Sequence, residues 1–382
     1  MFIEKQSREL IDEYKRKLQA VGLLSKLFSE KETPYLPYRI AENLFCDVFS
    51  AVNHSRSDNS ADAAIGVLGF GIKTFTANSN TSLQKIAEFD RLGPNLLSLK
   101  TRPEELAREL ARIRNERIEY AKNVHGLDEL IYHLIARREG EFQVVEENMD
   151  IIDSNTIRLL QHNTKSIRFS DSLNEYSFYF SKSTLLKRFD ISSSVLSIDI
   201  SIHDNPFDLI LALVPTEEEV IPIADIERLS VILPMYSPGE ENIVPEKSGL
   251  NQWNARGRRR DSREIYIPIP HWIHDSFPGF FPARDQPFTL NLPNNRTLSV
   301  KVCQDNDKAL MSNPNKDLGE WLLGEVLSIP PNELVTYDKL LEIGIDSVMV
   351  TKIDSRNFEI DFKRVGSYEQ FKEDNDISIE EG

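Results

Sequence analysis

Two ionisable residues in the first third of the chain are spaced for chemistry. Asp62 stands eleven residues before Lys73, and the segment around them reads as two short apolar runs, Ala61 to Leu68 and Phe70 to Phe75, parted by a glycine turn. Adjacent strands could present the carboxylate and the lysine at one point. Hydrolysis of a phosphodiester uses such a pair: the carboxylate holds Mg²⁺, the metal polarises the phosphate and acidifies a bound water, and the lysine orients or deprotonates that water. One acid is too few. Glu88, in Ser82 to Asp90, which reads as a short helix, and Glu42, near the start of a helix around Ile40 to Val52, are the candidates to complete the set. Each residue also has a plain explanation, since strand-end aspartates, snorkelling lysines and glutamates on solvated helix faces are common. The same segment does not make a nucleotide-phosphate loop. Gly66 and Gly71 have the right gap, but Ile72 separates Gly71 from Lys73, and such a loop needs Gly-Lys-Ser/Thr contiguous.

A second group lies past the middle of the chain. Arg256, Arg258, Arg259, Arg260 and Arg263 place five positive charges within eight residues of a chain whose formal net charge is −16. An acidic chain repels polyphosphate at long range, so this island is where an anionic polymer would land. Ile265, Ile267 and Ile269 then alternate with Glu264, Tyr266 and Pro268, the pattern of a half-buried strand. Farther on, Phe288 to Leu292 and Thr297 to Val302 flank a polar turn and read as a hairpin. Behind it, Gln304, Asn306, Lys308, Ser312, Asn313, Asn315 and Lys316 are the side-chain types that read base edges and grip phosphates. The alternative is a pair of solvated loops capping a barrel.

The elements that must carry these residues follow from pattern. Hydrophobic content of 40% and charged content of 28% over 382 residues describe a globular chain of two or three domains. The N-terminus is charged where a signal peptide needs an apolar core, and no run reaches the ~18 apolar residues of a membrane span, so a cytoplasmic location with no membrane partner is expected. Cys46 and Cys303 are far apart in periodic segments and read as buried free thiols, and a zinc site is not expected. Helical spacing marks residues 4–28, 40–52, 103–122 and 127–138; residues 141–180, 195–202 and 207–214 read as strands, and 223–233 as a helix. Tyr236 to Gly249, rich in Pro and Gly, reads as the linker. The expected division is a catalytic domain at 1–236, a linker at 237–253, a β domain at 254–367 and an acidic, loose tail at 368–382.

The Asp62 and Lys73 spacing resembles the PD-(D/E)XK nuclease superfamily, whose Asp and Lys these two positions match. The residue two before the lysine is acidic in that pattern and is Gly71 here; some restriction enzymes of the superfamily carry that acid on the following helix, where Glu88 was placed above. The stretch from Ala255 through Pro270, with Phe280-Phe281-Pro282, Lys301 to Gln304 and Ala309 to Asn315, resembles the C-terminal DNA-binding domain of NgoFVII-type and BfiI-type restriction endonucleases. That resemblance covers roughly residues 250–365 and implies an open pseudo-barrel of the B-three class whose two arms enter the major groove, Arg256 to Arg263 as one arm and Gln304 to Lys316 as the other. Those enzymes carry phospholipase-D-type catalytic domains that need His-x-Lys, and none of the seven His here has Lys two residues later.

The reading is thus a mixed α/β PD-(D/E)XK-like nuclease domain joined to an all-β open pseudo-barrel. It implies a Type II-like restriction endonuclease cutting double-stranded DNA with Mg²⁺ held by Asp62 and Glu88. It also implies a homodimer or transient pairing on DNA and a companion methyltransferase. A non-catalytic DNA-binding regulator and a modification-dependent endonuclease are the alternatives.

Overall fold

Ser7 caps the first long helix by accepting a hydrogen bond from the Leu10 N–H at 3.3 Å. That helix, α1 (Arg8–Leu23), buries Tyr14, Leu18 and Gly22, and α2 (Tyr38–Phe49) buries Phe45, Val48 and Phe49 before Ser50 ends it in a left-handed conformation. In the computed structural model, which describes residues 1–54, 60–89, 92–211, 229–239 and 241–376, the chain divides into two compact units. The first comprises Met1–Asn115 and Leu127–Asp225, the second Glu116–Gly126 and Ile226–Gly382.

The first unit contains two sheets. β1 (Val52–Asn53), β2 (Ala63–Ile65), β3 (Leu68–Thr76), β5 (Glu129–Arg138), β6 (Glu141–Asn148) and β11 (Leu196–Asp199) form one, in that order. β3 and β5 are parallel, and between them the chain runs through β4 (Thr81–Glu88), α3 (Gly93–Ser98) and α4 (Pro103–His125). A parallel pair needs such a crossover. The second sheet orders β4, β10 (Thr184–Asp190), β9 (Glu175–Tyr179), β8 (Ser166–Ser170) and β7 (Arg158–His162). α1 and α2 pack their apolar faces on Phe70, Ile72, Ile131, Ile135 and Val144 of the first sheet. A buried polar chain crosses that core: Tyr14 Oη lies 2.9 Å from His133 Nε2, and His133 Nδ1 lies 3.0 Å from Glu146 Oε1. The carboxylate also accepts the Ile3 N–H at 3.1 Å, tying down the N-terminus.

Three expectations for this unit are corrected. Residues 127–138 are strand β5, buried on both faces between β3 and β6, so the near-continuous apolar run has no strand alternation to display. Ser82–Glu88 is strand β4, paired antiparallel with β10. Pro206–Leu211 is a short helix, α5, rather than a strand, and Ala212 to Val214 lie outside the described residues.

The second unit is a seven-stranded sheet ordered β12 (Ser230–Pro234), β17 (Ile345–Lys352), β18 (Asn357–Arg364), β14 (Phe288–Asn291), β15 (Thr297–Cys303), β16 (Ala309–Ser312) and β13 (Ile267–Pro268). Its two end strands, β12 and β13, lie against one another, so the sheet curls into a nearly closed barrel. Interior positions are aliphatic and aromatic, among them Val231, Leu233, Ile267, Leu290, Val300, Leu310, Val350 and Phe358. The expected hairpin is present, with β14 and β15 paired from Phe288↔Val300 to Asn291↔Thr297. α6 (His271–Ser276), α7 (Asp317–Gly319, running on as a π-helix over Glu320–Val326), α8 (Tyr337–Ile343) and α9 (Ser367–Asp376) complete the unit. The end of α4 belongs here: Tyr120 and Val124 are buried in this core, and Arg117 Nε donates to the Glu342 carbonyl at 3.1 Å.

The domain edges move accordingly. Ser230–Pro234 is β12, not the end of a helix, and Ile223 to Arg228 lie outside the described residues. The expected linker at 237–253 is integral to this unit: Tyr236 is buried, and Asn251 donates to the Val335 carbonyl at 2.9 Å while accepting the Val335 N–H at 2.9 Å. Its prolines and glycines shape turns that wrap the barrel. The expected loose tail is helical to Asp376, because Tyr368 is buried and Phe371 stacks on Phe277 with ring centroids 5.7 Å apart. Residues 377–382 lie outside the described set.

Candidate active site and nucleic-acid interface

In the first unit, strand alternation turns Phe70 and Ile72 toward α1 and α2, which leaves Gly71 and Lys73 on the opposite face. Register places Gly71 beside Tyr132 of β5, and Tyr132 beside Glu147 of β6, so all share that face. Asp62, just before β2, joins them through its Oδ2, which accepts the Ile72 N–H at 2.7 Å. Burial pushes the Asp62 carboxyl up to about 6, against the pull of Lys73, of the Ile72 N–H and of Arg39. Burial also lowers the Lys73 ammonium, with Asp62 opposing and Arg114 adding to the shift. Asp62 and Lys73 are both half-buried, and each acts on the ionisation of the other.

The supporting acids are less close to expectation. Glu42 is buried on α2 with Arg39 Nη1 3.0 Å from its carboxylate, and its charge is among those acting on Lys73 and on the neighbouring Cys46 thiol. Glu88 lies on a strand and not on the helix expected, is exposed, and is ion-paired with Lys85 at 2.7 Å. At Gly71, a Cβ would stand 2.6 Å from the Met149 ε-methyl, the flexible end of a side chain that would have to shift to admit an acid there. Among the described residues no group of three or more His, Cys, Asp or Glu is arranged to hold a metal. An ion held here would take one or two carboxylates from the protein and the rest of its ligands from phosphate oxygens and water.

Cations dominate the rest of the face. Arg114 of α4, almost fully buried, donates to Tyr132 Oη at 2.9 Å and Ser60 Oγ at 3.2 Å. Lys187 of β10 pairs with Glu147 and sits over the Phe189 ring at 4.3 Å. Arg114 escaped sequence reasoning because its helix is laced with both signs of charge and reads as solvated.

In the second unit the arginine run is an irregular loop ahead of β13. Arg256 and Arg259 are exposed. Arg258 pairs with Glu264, and Arg260 Nε lies 3.5 Å from the same Glu264 oxygen while its Nη1 donates to the Ala255 carbonyl at 3.0 Å. Arg263 is different: its Nη1 donates to the Ile329 carbonyl at 2.9 Å and its backbone packs on Gly319, so it serves the fold. In the second loop Gln304, Asn306 and Asp307 adopt positive φ, and Asn306, Lys308, Asn313 and Asn315 are exposed. Lys316 is exposed and ion-paired with Glu320 at 2.9 Å. Ser312 is fully buried and its Oγ accepts the Leu318 N–H at 2.8 Å, which caps the following helix and takes it out of the interface. Gln304 reaches back to the first loop, its Nε2 donating to Gln252 Oε1 at 3.1 Å. Gln252 and Glu264 were overlooked; a lone acid among arginines was the available signal.

The curled seven-stranded barrel carries one arginine-rich loop and one amide-rich loop, the side-chain types that grip phosphates and reach base edges. Residues 223–354 match the family model of the NgoFVII C-terminal B3-like DNA-binding domain. The match supports double-stranded DNA as the partner of this unit. No curated protein matches the chain. Among the described residues no helix is long and apolar enough to cross a membrane.

Proposed function

We propose that the chain is a Type II-like restriction endonuclease in which the barrel reads duplex DNA and the first unit hydrolyses it. The observation that carries this reading is the pairing of half-buried Asp62 with half-buried Lys73 in a chain that also bears a region matching a restriction-enzyme DNA-binding domain. Asp62, with Glu42 behind it, would hold Mg²⁺, which supplies polarisation of the phosphate and an acidic bound water. Lys73 would orient the attacking water, and a lowered ammonium pKa suits it to accept a proton. Arg114 holds Tyr132 and adds positive charge beside the reacting phosphate. Of the two acids expected to assist, Glu42 is preferred to Glu88, which stands exposed and paired elsewhere. One such site cuts one strand, so duplex cleavage calls for two copies on DNA, and a companion methyltransferase would protect the host.

Asp62→Ala tests the reading. The purified variant should bind the same duplex as the wild type and lose Mg²⁺-dependent cleavage; unchanged cutting would remove this site. A non-catalytic DNA-binding regulator is favoured by one observation, the Met149 methyl filling the space beside Gly71. Wild-type chain that binds a specific duplex and never cuts it, modified or unmodified, would establish that reading.

A further inference from the structure

Glu264 is a nearly buried acid, its side chain 5% exposed, set inside the most basic loop of the chain. A carboxylate in a phosphate-facing arm weakens binding to any polyanion. Its geometry gives it another task. One oxygen, Oε1, receives Arg258, the Gln252 amide at 3.1 Å and the Arg260 guanidinium at 3.5 Å. Gln252 in turn accepts from Gln304 of the other loop, 52 residues away in sequence, at 3.1 Å. The chain of contacts therefore runs from one loop to the other through two side chains that are themselves buried, Gln252 and Glu264. Its outer members are accessible: Arg258 is 59% exposed.

We propose that Glu264 is a positioning residue for DNA reading, fixing Arg258 and Arg260 and, through Gln252, setting Gln304 so that both loops meet the duplex in one register. The inference rests on the DNA-binding reading of the barrel. Specificity needs donors at fixed angles to base edges, whereas phosphate grip tolerates mobile cations. An arginine held by a buried carboxylate is aimed, and an arginine released from it becomes a general phosphate binder.

The test uses the full chain, a duplex selected from a random pool by the wild type, and a scrambled duplex, with binding measured across salt concentrations. Glu264→Gln should hold or tighten binding to the scrambled duplex and steepen the slope of log K against log[salt] by about 1 to 2, as one or two arginines take up phosphates. The ratio of selected to scrambled affinity should fall ~10-fold or more. Gln252→Leu cuts the bridge while leaving Glu264 on its arginines; it should lower the same ratio with no change of slope, and it decides the matter if Glu264→Gln does not fold. An unchanged ratio in Gln252→Leu overturns the proposal. So does equal weakening on both duplexes by Glu264→Gln with a lowered melting temperature, which marks a purely structural acid. A wild type that selects no duplex at all overturns the DNA-reading assignment itself.

Discussion

Asp62 carries the sharpest residue-scale consequence, because burial holds its carboxyl at about 6 when an unfolded aspartate titrates near 4. A folded pKa raised above the unfolded one means the unfolded chain loses its proton first as pH rises. The contribution to stability is therefore full below about pH 4 and is lost as pH climbs through about 6. On the proposed function, metal binding and cleavage need the ionised form and should move the other way, rising over the same interval. Urea unfolding of the wild type against Asp62→Asn between pH 4 and 7 reads the first effect, since the variant has no carboxyl to titrate; single-turnover cleavage over that range reads the second. A difference between the two proteins that does not change with pH would place Asp62 in a wetter setting. The Asp62 and Lys73 pair was legible because a two-strand hairpin fixes relative position within a dozen residues. The supporting groups were not: Arg114 and Glu42 arrive from helices whose approach is set by long-range packing, which no local spacing encodes.

Among the elements, the helix that starts at Asp317 packs directly on the backbone of the arginine loop. A Cβ on Gly319 would stand 1.9 Å from the Arg263 carbonyl oxygen, so backbone meets backbone there and neither can yield. Gly319→Ala should destabilise the barrel by ~3 kcal/mol, the upper part of the overpacking range, visible as a lowered urea midpoint. A neutral result would mean that the helix shifts freely, and Arg263 would then lose its fixed place. The same contact explains why the arginine run misled in part: five arginines share one composition, but only the fold separates Arg263, turned onto the Ile329 carbonyl, from Arg256 and Arg259 at the surface. Elements with a clean period were legible, namely α1, α2, the β2–β3 pair and the β14–β15 hairpin. β5 was not, since a strand buried on both faces loses its alternation and mimics a helix. β4 was misread for a related reason: its side chains are mostly half-buried, so no strong contrast of apolar and polar positions marks it.

At the scale of the whole molecule, the second unit draws Glu116–Gly126 from the middle of the first unit's sequence. Tyr120 of that segment meets Phe362 with ring centroids 5.7 Å apart, and Val124 is fully buried in the barrel core. A fragment of residues 226–382 lacks both. Losing two such burials at about 1.5–3 kcal/mol each should make it unfold at clearly lower urea than the same unit does in the complete chain. Equal midpoints would show the segment to be dispensable. Sequence pattern placed a boundary near Tyr236 because prolines and glycines cluster there, and composition has no means of announcing that a domain borrows nearly three turns of helix from about a hundred residues upstream.

On the proposed function, that borrowed segment bears on how such a chain can acquire a new target. A reader encoded in one uninterrupted stretch can be traded between genes with a single crossover. This one is encoded in two pieces, and a foreign barrel joined at residue 226 would arrive without its own plug and meet eleven residues, Glu116–Gly126, shaped for a different interior. Wholesale exchange is penalised, so changes of target are expected to accumulate as substitutions in the two rim loops while the barrel beneath them stays in place.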